Sequence, residues 1–382
     1  MIASFKFLTI SLILLVIDIE CRHVIESRQA TPGSASSTFK TGSQAAIDQA
    51  NVAQNKGVLS KATDGSQIVV MTADINKFAL QFKVSAPPDS LLPAAKNAVV
   101  IRPSTMLPDS KGTYGVNVLI HGDGGENFFD YPNQAVQNDL MGVVILAPND
   151  QMFWGGGAGD LRTDGALHSS LINKLITQVL PQVLKMDPAK VFFTGVSGGS
   201  HLLSGFFMPA FAENYNTGVI MACGGLPIQV KPSSNFGKTL GTMRIHFQAS
   251  TQELESLQNT IPGSITTYID AAKAAGVDDK SLGKKLTADA TPTGDHCAFD
   301  NKDYTSGVQR MINNYGKFIF GDGDVEGIGR AVSVLENKQK FASGIPLCKA
   351  TANTVSGRKN YHRNTSSIKG KWLCPNGIKG KP

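Results

Sequence analysis

The chain has 382 residues, 41% of them hydrophobic and 17% charged, a globular composition that excludes a disordered or fibrous protein and supplies apolar side chains for one large domain or two small ones. Its formal charge of +6 is local, because Glu336 to Pro382 carries ten Lys and Arg against one acid. The remainder is close to neutral, which excludes a basic nucleic-acid-binding body, and the tail reads as a solvated or surface-adhering appendage.

In chain order, Met1 to Lys6 is weakly basic, Phe7 to Ile17 is an apolar stretch of signal h-region length, and Asp18 to Arg22 is polar. This is the pattern of an export signal. No other segment has the roughly 20 apolar residues that a membrane helix needs, so a secreted protein without a membrane span is expected. Residues 23–60 are rich in Ser, Gly, Gln, Ala and Thr and read as a linker or loosely ordered arm. The main domain is placed at 61–320, and 321–382 is a basic Gly/Lys-rich tail.

Within the domain, Gln67 to Met71 and Phe78 to Ser85 flank ADIN and read as an antiparallel hairpin. Gly115 to Ile120 and Met141 to Ala147 are apolar on both faces and read as buried strands. Leu171, Leu175, Val179 and Val183 form one stripe of a helix over Leu167 to Leu184. Then follow a strand at Lys190 to Thr194, a helix at Ser200 to Phe211, strands at Gly218 to Ala222 and Thr242 to Gln248, and helices at Thr266 to Ala275 and near Thr305 to Phe318. This alternation builds a mostly parallel sheet with helices on both faces, preceded by the antiparallel hairpin: an α/β fold.

Cys223, Cys297, Cys348 and Cys374 are an even set in an exported chain, and of the three pairings Cys223 with Cys297 and Cys348 with Cys374 are expected. No CxxC spacing occurs, so no zinc site is expected. Asn364 heads the sequon Asn364-Thr365-Ser366 and is a glycosylation candidate. Asp322 to Gly327 mimics the start of a calcium loop, but its twelfth position is Ser333, which excludes one.

The segment with most chemical content is Gly195-Val196-Ser197-Gly198-Gly199. It follows a buried strand and opens a helix, the setting of a nucleophile elbow, in which a strained serine needs small neighbours and the helix N-terminus faces a developing oxyanion. A second glycine cluster, His121 to Gly125, follows the strand GVNVLI. The backbone amides of Gly198 and of Asp123 or Gly124 are therefore the expected oxyanion donors. Serine activation calls for a histidine. Of the seven present, His296, in a polar loop downstream, is the expected base, with His201 as a competitor by proximity. The carboxylate that would orient it is sought in ASTQELE after the strand TMRIHFQ. Glu253 is the first choice and Glu255 the second, with Asp270, Asp278 and Asp279 further off. Trp154 and Gly155 lie on a glycine-rich loop leaving a strand edge and are candidates for a wall that touches substrate.

On the motifs GVSGGS, HGDGG and DHC, from about Gly115 to Phe320, the chain resembles the α/β-hydrolase superfamily and, within it, the secreted polyhydroxybutyrate-depolymerase and feruloyl-esterase group. The resemblance implies the α/β-hydrolase fold and a serine ester hydrolase acting without cofactor on polysaccharide-linked, polyester or small esters. A monomer is expected. Two features differ from the group: no cysteine precedes Ser197, and the expected acid is Glu where Asp is usual. The alternative of another class is a catalytically inactive hydrolase-like scaffold that binds surfaces or carbohydrate.

Overall fold

The computed structural model describes residues 58–61, 64–97, 100–108, 111–128, 130–131, 136–157, 159–321 and 323–347. The export signal, most of the arm, Cys348, Asn364 and Cys374 lie outside them.

The strands are β1 (Val58–Lys61), β2 (Gln67–Ile75), β3 (Phe78–Ala86), β4 (Val100–Ile101), β5 (Gly115–Ile120), β6 (Leu140–Ile145), β7 (Val191–Val196), β8 (Gly218–Ala222), β9 (Arg244–Gln248), β10 (Leu286–Asp289) and β11 (Val332–Ser333). They form one sheet in the order β1-β2-β3-β6-β5-β7-β8-β9-β10-β11, with β4 beside β2. From β6 through β10 every pairing is parallel. The hairpin of β2 and β3 is antiparallel and joins β6 antiparallel. Every residue of β7 and β8 is buried, which requires cover on both faces of the sheet.

Local differences from the sequence reading have identifiable causes. The hairpin runs on through Thr72 to Ile75, because Ala73 and Ile75 continue the buried alternation. Its turn is Asn76-Lys77, both at positive φ, 53° and 70°, a conformation that matches the twist of the strands. A helix expected from Thr266 starts at Leu257 and runs to Ala274. Pro262 lies inside it, but Leu257, Ile261, Ile265, Tyr268, Ile269 and Ala272 make a buried stripe on both sides of the proline, and packing outweighs the lost hydrogen bond.

The main domain exceeds both expected limits. Val58–Lys61 pairs with β2, so the sheet begins within the stretch assigned to the arm. At the other end, β11 adds antiparallel to β10, and Val334, Leu335, Phe341 and Leu347 are buried in the core. The Gly- and Lys-rich composition after Phe320 concealed these scattered anchors. Among the described residues no helix is long and apolar enough to cross a membrane.

The helices that bear on the site are α1 (Gly165–Lys174), α2 (Gly198–Leu202), α3 (Leu257–Ala274) and α4 (Tyr304–Asn313). The turns after β5, β7, β9 and β10 all leave the carboxyl edge of the parallel strands, where sheets of this kind collect ligands.

Candidate active site

Ser197 sits between β7 and α2 with φ 50° and ψ −115°, a backbone that costs a non-glycine residue about 1–3 kcal/mol. Neighbours without side chains make the bend sterically possible. A Cβ on Gly195 would lie 2.8 Å from Ser200 Cα, and one on Gly199 would enter the Ile120 carbonyl. The bend is held by the Ser197 amide, which donates to Ala222 O at 2.8 Å, and by Ser200 Oγ, which donates to the same oxygen at 2.8 Å.

His296 reaches Ser197 from the loop after β10. Its Nε2 lies 2.9 Å from Ser197 Oγ, and its Nδ1 makes a short contact with Glu253 Oε1. Glu253 comes from the loop after β9, and its side chain is fully buried. Oε1 also accepts from the Leu254 amide at 3.0 Å, while Oε2 is buried without a partner among the described residues. A carboxylate so placed requires the proton on Nδ1, which leaves Nε2 as the acceptor for the Ser197 hydroxyl. The two loops are tied together: Ser250 Oγ donates to Asp295 O at 2.8 Å and the Thr251 amide to Pro292 O at 2.6 Å. The Cys223–Cys297 disulfide, with Cα atoms 5.1 Å apart, anchors the histidine loop to the end of β8.

The other acids and the competing histidine stand elsewhere. Glu255 and Asp270 are exposed, Asp279 pairs with Lys273 at 3.5 Å, and Asp278 caps a surface helix through the Ser281 amide at 2.8 Å. His201 is buried, with Nδ1 3.3 Å from Gly159 O. Burial, aided by the Arg162 charge, lowers its pKa to about 3. His121 is also buried. Its Nδ1 meets Gly122 O, its Nε2 accepts from the Ala147 amide, and desolvation lowers its pKa to about 4.

Asp123 and Gly198 are each the first residue of a helical segment, a position whose amide has no intrahelical partner. The two turns are in contact, since a Cβ on Gly122 would lie 3.6 Å from Ser197 Cβ and one on Gly198 would enter the Asp123 carboxylate. Gly124, the alternative donor, is corrected. Its amide donates to Met152 O at 3.1 Å, so Asp123 is the donor left on this turn. Gly124 and Gly125 both have φ 83°, where glycine is the residue without steric cost.

The expected aromatic wall is also corrected. Trp154 is 0% exposed, with its ring centroid 5.2 Å from that of His121 and 5.9 Å from that of His168. Gly155 is buried, and its amide donates to His168 Nδ1 at 2.9 Å. Neither can touch a substrate. They are the foundation of the loop that carries Arg162, a residue that no motif singles out. Arg162 NH1 and NH2 donate to Asp123 Oδ1 at 2.7 Å and Oδ2 at 2.6 Å, while Nε donates to Gly159 O and NH1 also to Trp154 O, both at 2.8 Å.

Tyr304, at the start of α4, was likewise not foreseen. Its ring centroid is 5.8 Å from that of His296, and its hydroxyl donates to Asn127 Oδ1 at 3.2 Å. A Cβ on Gly122 would enter that hydroxyl. Glu126, at the exposed rim, has its carboxyl raised by partial desolvation against the opposing pull of His296. Cys223, His296 and Cys297 cluster within 4.8 Å, but both sulfurs are spent in the disulfide and supply no thiolate to an ion.

No family model matches the sequence, and no curated protein matches it. Among solved structures it is similar to a thermostable esterase (TM-score 0.41, 13% identity, 66% of this chain and 62% of that one). It is also similar to an arylesterase (TM-score 0.42, 12% identity, 72% of this chain and 91% of that one). A ferulic acid esterase gives a TM-score of 0.38 at 12% identity over 67% of this chain and 97% of that one. The chain thus spans less than two thirds of the thermostable esterase. The sheet order and the strained serine between β7 and α2, not these distant likenesses, identify the fold as that of the α/β-hydrolases.

Proposed function

We propose that this chain is an exported serine carboxylic ester hydrolase, acting through an acyl-enzyme on polysaccharide-linked, polyester or small esters. The observation that carries the proposal is the 2.9 Å contact of Ser197 Oγ with His296 Nε2, with Glu253 on the far side of the same ring. A disulfide at Cys223–Cys297 supports export, because such bridges persist in oxidising compartments.

The chemistry follows from the atoms. Ser197 Oγ bonds to the ester carbonyl carbon, its proton passes to His296 Nε2, and the π pair moves onto the carbonyl oxygen. That oxygen faces the amides of Gly198 and Asp123, each worth about 3–4 kcal/mol in the transition state. Glu253 stabilises the imidazolium and keeps its ring in register without taking the proton. Collapse expels the alcohol with the proton returned from Nε2. Water, deprotonated by the same nitrogen, then attacks the acyl group, and the acid leaves with Ser197 restored.

Turnover of a p-nitrophenyl ester by wild type and Ser197→Ala tests the proposal. A drop of at least about 10⁴-fold with the far-ultraviolet spectrum unchanged is expected. Equal turnover overturns it and favours the catalytically inactive surface or carbohydrate-binding scaffold.

A further inference from the structure

Beside the proposed oxyanion site lies a charge that the reaction does not use. The carboxylate of Asp123 stands over Gly198, where a Cβ would enter it, on the residue whose own amide is one of the two donors. An anion there opposes the negative charge that forms on the substrate oxygen, and the opposition grows as water is excluded. Arg162 answers it. Its side chain is 1% exposed and grips both carboxylate oxygens, while the Gly159 and Trp154 carbonyls hold the guanidinium from behind.

The turn itself is formed by other bonds. The amides of Gly122, Gly124 and Gly125 donate to Glu126 O, Met152 O and Gly122 O at 3.2, 3.1 and 3.2 Å. Arg162 is therefore not needed to shape the turn, and what it contributes is charge balance. A planar fork on two carboxylate oxygens suits this role as a lysine point charge would not.

Resting on the reading of Ser197 as nucleophile, we propose that Arg162 is a positioning residue that neutralises Asp123, so that the oxyanion forms beside an ion pair and not beside a bare carboxylate. Its effect falls on the transition state. In Arg162→Met, kcat for a p-nitrophenyl ester is expected to fall about 100-fold with KM within about threefold. The Ki of a boronic acid that forms a tetrahedral adduct on Ser197 is expected to rise by the same factor.

The sign test is the pair variant. Asp123→Asn with Arg162→Met removes the anion together with its counter-ion and is expected to be at least about tenfold more active than Arg162→Met alone. If Arg162→Met does not fold, Arg162→Gln takes its place with the same expected directions. A kcat within threefold of wild type in the folded single variant overturns the proposal. So does a pair variant no more active than the single one, because Arg162 would then only brace its loop. A wild-type protein without esterase activity would instead remove the reading of Ser197 on which this rests.

Discussion

His296 Nε2 lies 2.9 Å from Ser197 Oγ although 99 positions separate the two residues. Parallel strands bring them together, since β7 ends at Val196 and β10 at Asp289 on one edge of the sheet. The acid beyond the imidazole gives the sharpest contrast between neighbours in sequence. Glu253→Gln is expected to lower kcat by about 10³- to 10⁴-fold, because an amide neither enforces the tautomer nor stabilises the imidazolium. Glu255→Gln, two residues on and exposed, is expected to stay within about twofold. Steady-state kinetics on the two variants checks both.

The Cys223–Cys297 bridge closes a long loop, with a sequence separation of 74. Its removal in the double alanine variant is expected to cost about 2–5 kcal/mol of stability, read by urea unfolding. The hydrogen bonds of Ser250 and Thr251 to the histidine loop remain. Activity at 25 °C is therefore expected to fall by less than about tenfold, while the unfolding midpoint drops clearly.

Four buried histidines make the fold sensitive to acid. Burial lowers the pKa of His121, His168 and His246 from 6.5 to about 4, and that of His201 to about 3. The unfolded chain binds these protons first, so each group's contribution is fully present above pH 6.5 and is lost as pH falls through about 4, or about 3 for His201. Each can contribute up to about 1.4 kcal/mol per pH unit within that window. Urea unfolding from pH 7.5 to 4.5 is expected to show falling stability with decreasing pH, and His246→Gln is expected to flatten the curve.

The three side chains that meet at the site were each readable in the sequence because chemistry constrains their surroundings. Ser197 needs glycines on both sides of a strained bend, and a base and an acid belong on loops after later strands. Seven strands were readable from their apolar or alternating runs, whereas β1, β4, β10 and β11, each two to four residues long, carry too little pattern to stand out. What stayed hidden depends on contacts between distant segments. Nothing near Arg162 announces that its guanidinium closes on Asp123, 39 positions earlier. Trp154 looked like a ligand wall because its glycines suggested mobility, yet His121 and His168 pack around it. The Gly124 amide was spent on Met152 O, a carbonyl from another loop. Asp123 and Gly124 are adjacent, and only the fold distinguishes them.

The most direct measurement is covalent labelling with a fluorophosphonate, followed by mass-spectrometric mapping of the modified peptide in wild type, Ser197→Ala and His296→Ala. A single adduct on Ser197 in wild type is expected, absent from Ser197→Ala and formed at least about 10³-fold more slowly in His296→Ala. An unlabelled wild-type protein, or an adduct on another residue that persists in Ser197→Ala, would contradict the assignment of Ser197 as a nucleophile activated by His296.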